Sequence, residues 1–202
     1  MRLLIIGGTG FMGPSVLNRL AAEGHDLAVY HRGVSRPSLP AGVREILGDQ
    51  RELAKSAPEF RDFSPDVVVN FILASERQAQ TTMDVFRGIA HRVVALSSGD
   101  VYRAAGILHG TEPGPLQPMP LTEESDLRTK GQTYREEVMD SIRIRLPWVD
   151  DDYDKIPVER TVLSDPELAG TILRLPMVYG PGDAFHRCIH TSREWTTAGL
   201  RF

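Results

Sequence analysis

The chain has 202 residues, 41% hydrophobic and 25% charged, which suits one soluble globular domain able to bury its own core. A formal charge of -4 with no basic cluster argues against nucleic-acid binding, and the single cysteine, Cys188, excludes an intrachain disulfide framework. No apolar run is long enough to span a membrane, and an apolar segment at the very start leaves no room for a signal peptide, so a cytoplasmic protein is expected.

Residues 3–6 are an apolar run that meets glycines at 7, 10 and 13, with polar helix formers from Ser15. This predicts a strand, a tight turn and a helix start. A pyrophosphate needs such a place. Gly7 allows the turn, Gly10 lets the backbone approach the phosphates, and Gly13 lets the helix pack close to the strand. The free N–H groups and dipole of the new helix then face the anion. A glycine triplet can also be a bare turn. The strand before it and the helix after it are the context expected of a dinucleotide-binding loop, with Thr9, Phe11 and Met12 as its other members.

Further strands are predicted over residues 27–30, 43–47, 66–71, 92–97 and 171–175. Helical patterns lie at 15–23, 51–56, 76–90 and 153–163. The alternation implies βαβ units, and right-handed crossovers give a doubly wound parallel sheet in the order 3-2-1-4-5-6. Residues 104–150 interrupt the rhythm. Gly and Pro punctuate 106–120 as a surface loop, 123–140 is polar and partly helical, and 142–148 reads either as a short strand or as a segment packed over the cleft.

Four patches then stand out: Gly7-Gly-Thr-Gly-Phe-Met-Gly13, Ser97-Ser-Gly-Asp-Val-Tyr102, Lys155-Ile-Pro-Val-Glu-Arg160, and Arg174-Leu-Pro-Met-Val-Tyr-Gly-Pro-Gly182. In this order, across residues 1–183, they resemble the extended short-chain dehydrogenase/reductase family, the NAD-dependent epimerase/dehydratase group. The resemblance implies a Rossmann fold and NAD(P)-dependent epimerase, dehydratase or reductase chemistry on a sugar nucleotide or related carbonyl/alcohol substrate. Members often pair as homodimers through helices flanking the fourth and fifth strands.

Cofactor choice turns on the end of the second strand. An acidic residue there would take the ribose hydroxyls of NAD. This chain has His31 and Arg32 instead. Arg32 is suited to a 2′-phosphate, which favours NADP over NAD. The alternative is a solvated loop arginine. After the third strand, the resemblance implies that Asp49, with Gln50, approaches the adenine. Asp49 is equally suited to capping the helix near Arg51.

For catalysis, Ser98 matches the family's Ser/Thr, whose hydroxyl bonds the reacting substrate oxygen. Asp100 sits where dehydratase-like members carry an acid, and also suits a turn. The family's Tyr-x-x-x-Lys pair is altered. Lys155 has Asp151 four residues upstream, and the nearest tyrosine is Tyr153. Pro157 favours a helix that starts near Ile156, which leaves Tyr153 and Lys155 on a non-helical lead-in. Three readings stand: a working enzyme using Ser98, Tyr153 and Lys155; an enzyme with Asp151 or Asp100 replacing the phenol; and a non-catalytic dinucleotide-binding or sensor protein. The second is weakest, because a carboxylate beside Lys155 would stay ionised.

His186 and His190, spaced by four around Cys188, lack a third ligand, so no metal is expected. Family members continue for about another hundred residues to complete a substrate lobe. Residues 184–202 show no clear period and fit a truncated or frame-shifted end, or a genuine short form, after a cofactor-binding domain over 1–183.

Overall fold

The structure, a computed structural model, describes residues 1–34, 38–132 and 134–183. Strand β1 (Arg2–Ile6) lies between β2 (Asp26–His31) and β4 (Val67–Asn70), parallel to both. A strand buried on both faces must be apolar on both, and it is. Leu4 and Ile6 join Tyr30, Phe60 and Phe86 in one core layer, while Leu3 and Ile5 join Leu17, Leu27 and Val29 in the other. β3 (Arg44–Leu47) flanks β2, and β5 (Arg92–Ser98) and β6 (Ala169–Leu175) follow β4. The six parallel strands run β3-β2-β1-β4-β5-β6, the order expected from the alternation of elements.

Helices α1 (Gly13–Ala22), α2 (Ala57–Phe63), α3 (Glu76–Phe86) and α6 (Lys155–Ser164) make the crossovers. The helix expected at 51–56 is a 3-10 segment, Gln50–Ser56, broken at Glu52, whose backbone leaves the helical region. Pro58 then sits in the first turn of α2, an element the periodicity did not reveal, and Phe60 and Phe63 carry its apolar face into the core. α3 ends four residues before position 90, and Gly88 follows with φ +74. α6 starts at Lys155, with Asp154 as its N-cap accepting from the Ile156 N–H at 3.1 Å, so Tyr153 lies outside the helix.

The insert is more ordered than its composition implies. A short helix, α4 (Arg103–Leu108), occupies the start of the expected loop. α5 (Glu136–Arg145) takes in residues 142–145, which removes the strand reading for 142–148. Beyond α5 the chain packs against Ala74, with Met139 and Val149 buried and Leu146, Trp148 and Tyr153 beside them. Among the described residues, no helix is long and apolar enough to cross a membrane.

The end of β5, the middle of α6 and the end of β6 are tied by one buried charge. The Glu159 carboxylate accepts from Ser97 Oγ at 2.6 Å and from Arg174 through Nε at 3.0 Å and Nη2 at 2.8 Å. Arg174 also lies 5.1 Å from the Tyr102 ring centre. Arg174→Met would leave Glu159 buried without a counter-charge. It is expected to cost about 3 kcal/mol in urea denaturation, with most of the loss recovered when Glu159→Leu is added.

Candidate functional site

The glycine turn follows β1 directly, and its glycines do different work. Gly7 has φ +78, a conformation that side chains resist, and a Cβ there would come within 2.6 Å of Ile72. A Cβ on Gly13 would lie 1.9 Å from the Gly8 carbonyl oxygen, so the first turn of α1 touches the loop backbone. A Cβ on Gly10 would meet nothing within 4 Å, because Gly10 faces open space. Met12 caps α1 without a side-chain hydrogen bond, and no acidic residue occupies the first turn. The Gly13 N–H is spent on the Gly10 carbonyl at 3.0 Å and Pro14 has none, so what the helix end offers an anion is its unopposed positive potential.

Above this turn lies a cavity lined by Gly7, Thr9 and Gly10, by His31 and Arg32 at the end of β2, by Gln50 after β3, and by Trp148 of the insert. Phe11 sits to the side, 3.9 Å from where a Cβ on Gly182 would be. Arg32 is exposed at the cavity wall. Asp49 does not line the cavity. Its carboxylate accepts from the Arg51 N–H at 2.9 Å and from the Arg51 guanidinium at 2.7 and 3.0 Å, which holds it below the usual carboxylate range. Its cap role is thus filled. Gln50 turns inward, accepting from Asn70 Nδ2 at 3.4 Å.

The second cluster gathers at the carboxyl end of β5. Ser98 Oγ accepts from the Asp100 N–H at 3.2 Å and caps the 3-10 turn Gly99–Val101. Asp100 is buried. Its Oδ2 accepts from two phenols, Tyr153 at 3.2 Å and Tyr134 at 3.3 Å, while its Oδ1 has no hydrogen-bond partner among the described residues. Burial, reinforced by the Asp100 charge, pushes both phenols well above the ordinary tyrosine value. They stand as donors.

Lys155 does not bond Tyr153. Its ammonium donates to the carbonyls of Leu73 and, at 3.2 Å, Leu96. Burial brings it down from 10.5 to about 8, against the opposing pull of Asp100 and Glu159. Asp151 is 96% exposed in its side chain and lies 3.4 Å from Arg143, so it does not replace the phenol.

Two members of this cluster had no local signal in the sequence. Tyr134 lies in a polar stretch without period. Arg128 is almost fully buried and spends three donors, on the Asp100 carbonyl at 2.8 Å, the Lys130 carbonyl at 2.9 Å and Asp154 Oδ1 at 2.7 Å. It thereby ties the Ser98–Asp100 turn to the cap of α6. Only the tertiary fold shows that Tyr134 and Arg128 converge on Asp100. His186 and His190 lie outside the described residues. Among the described residues, no three metal-ligating side chains come together.

A parallel sheet in this order, with a glycine turn after β1, defines a Rossmann-type α/β fold. Residues 3–119 match the NAD dependent epimerase/dehydratase family, and the chain belongs to that family. It is 28% identical over 197 residues to a 3-diazoavenalumate denitrifying reductase from a Streptomyces species, covering 93% of this chain and 59% of that protein. It is 27% identical over 150 residues to 2′-dehydrokanamycin reductase of Streptomyces kanamyceticus, covering 74% of this chain and 39% of that protein. In fold it resembles the Bordetella bronchiseptica enzyme WbmG, crystallised with NAD and UDP, at TM-score 0.65 and 17% identity over all of this chain and 61% of that one. The chain thus spans less than two thirds of each of these proteins.

The depressed Lys155 value has a checkable sign. The folded state binds fewer protons than the unfolded state between about pH 8 and 10.5, so stability contributed at this site rises with pH across that window and is flat below it. Denaturation of wild type and Lys155→Met at several pH values should show their difference growing in favour of wild type from pH 8 upward, by on the order of 2 kcal/mol. A difference that stays constant would place the ammonium in a more hydrated setting.

Proposed function

We propose that this chain binds NADP or NAD over the glycine turn, and that its protein oxidises or reduces a carbon bearing an alcohol or carbonyl oxygen, on a sugar nucleotide or a related polyhydroxylated substrate. The observation that carries this reading is the convergence of Ser98, Tyr153 and Lys155 around the buried Asp100 at the carboxyl ends of β4 and β5, on the sheet edge that also bears the glycine turn. The cradle fits a dinucleotide. Gly10 leaves space where a side chain would stand, and no acidic residue opposes the positive end of α1. A bound nicotinamide would supply hydride transfer.

The protein's own part is proton handling. Ser98 Oγ already accepts from the Asp100 N–H, which leaves its hydrogen to donate to the substrate oxygen. Tyr153 stands between substrate and Asp100. In the oxidising direction the substrate hydroxyl passes its proton to the Tyr153 oxygen as Tyr153 passes its own to Asp100 Oδ2. In reduction the two transfers reverse. Lys155 holds the ends of β4 and β5 at the distance this requires. The 2′-dehydrokanamycin reductase that matches by sequence, and the UDP held by WbmG in its crystals, support a polar, hydroxyl-rich substrate.

The second reading is a dinucleotide-binding protein without turnover. It is favoured by one observation: Lys155 is committed to two carbonyls and leaves Tyr153 without a hydrogen-bonded cation. Cofactor oxidation and reduction, assayed with a panel of sugar nucleotides and their keto forms, separates the two. The enzyme reading expects turnover in wild type and a fall of about a hundredfold or more in Tyr153→Phe. Equal rates in both would remove Tyr153 from the reaction, and tight binding with no turnover on any substrate would favour the second reading.

Arg32 carries the cofactor preference. Arg32→Ala is expected to weaken NADP binding about tenfold or more and to leave NAD within about twofold, in parallel calorimetric titrations. Equal losses for both cofactors would show that Arg32 does not meet a 2′-phosphate.

A further inference from the structure

The cavity over the glycine turn has one wall that no motif supplies. Trp148 lines it, in company with Gly7, Thr9, Gly10 and Ile72. Tryptophan so placed needs an explanation, because its neighbours in the insert are packed for burial: Val149 is inside, with Leu146 and Tyr153 alongside. Trp148 takes part in that packing and also lines the cavity.

The backbone at this point is held by a set of bonds to the start of α3. Gln78 Nε2 donates to the Trp148 carbonyl at 2.7 Å and to Asp150 Oδ1 at 2.9 Å. Asp150 Oδ2 accepts from Ser75 Oγ at 2.8 Å and from the Arg77 guanidinium at 2.6 Å. Gln78 is itself fixed, since its Oε1 accepts from the Ala74 N–H at 2.9 Å. Buried amide groups satisfied on both ends hold one geometry, so residues 148–150 form a strap with a set position rather than a free loop. The strap crosses the end of β4, next to the cavity, and presents an indole to it.

We propose that Trp148 is a cofactor-contact residue, an aromatic wall against which a flat ring of the bound dinucleotide packs. This rests on the reading that the cavity takes NADP or NAD. An indole suits that ligand. It offers apolar area at little entropic cost, and it stacks on purine or pyridine rings through their π faces. Gln78 is the positioning residue, acting through the strap.

Dinucleotide binding itself tests this, without any need for turnover. The full chain has two tryptophans, Trp148 and Trp195, so each can be removed in turn. On titration with NADH and NADPH, wild type and Trp195→Phe should show quenching of indole emission with energy transfer to the reduced nicotinamide, and Trp148→Phe should lose it. Affinity read by calorimetry should fall about tenfold in Trp148→Ala and less in Trp148→Phe, which keeps a flat ring and the packing at Leu146 and Tyr153. Gln78→Leu, with the indole intact, should weaken binding and reduce the quenching. Wild-type affinity in a folded Trp148→Ala, or quenching lost only in Trp195→Phe, would overturn the proposal. A wild-type chain that binds neither dinucleotide would sink the cofactor reading, and the role of Trp148 with it.

Discussion

One ammonium sets the geometry at the carboxyl ends of β4 and β5. Lys155 reaches from the first residue of α6 to the carbonyls of Leu73 and Leu96, and so clamps the chain beyond β4 to β5 from beneath the cleft. A charge enclosed this way is costly unless its donors are used, and the fold uses them on backbone rather than on a side chain. The direction in which α6 leaves the cleft follows from that clamp. So does the position of Tyr153, which sits two residues ahead on an extended lead-in. Helical spacing, which would place a tyrosine four residues upstream, has no hold on a residue outside the helix.

The carboxylate of Asp100 is the centre of the second constraint. Two phenols give their hydrogens to one oxygen and leave the other oxygen bare among the described residues. Such an acceptor strongly prefers phenols to phenolates around it, which is the opposite of what a lysine-paired tyrosine experiences. Arg128 moderates this without touching the carboxylate. Its guanidinium bonds the Asp100 carbonyl and the cap of α6, so the cation that faces the phenol cluster is delivered by the insert. The site thus joins parts that come from three stretches of chain, and only one of them lies on the helix that motif reading points to.

What could be read from the residues divides along physical lines. The sheet order was legible because apolar strands of period one, bounded by glycines and polar helix formers, leave few topologies open. The glycine turn was legible because its demands are local: one positive φ, one close approach, one open space. The displacement of Tyr153 from α6 followed from Pro157, whose ring must sit in a first turn. The insert was opaque for the converse reason. Arg128, Tyr134 and Trp148 owe their positions to contacts across the fold, with Asp154, Asp100 and Gln78, and nothing within a few residues of each announces that partner. α2 was missed because Glu52 breaks the backbone between two short helical pieces whose patterns blur into one.

The glycines at 10 and 13, three positions apart, answer to separate demands. At 13 a methyl group has no room beside the Gly8 carbonyl, so the chain could not close its first βα unit around it. At 10 a methyl group would disturb nothing in the protein. On the proposed reading, what would hold that position to glycine is the volume of the dinucleotide over the turn. Folding and the proposed ligand capture would therefore be separable within a single loop. A side chain at residue 10 would leave a stable protein with an occluded pocket, and one at residue 13 would leave no pocket to occlude.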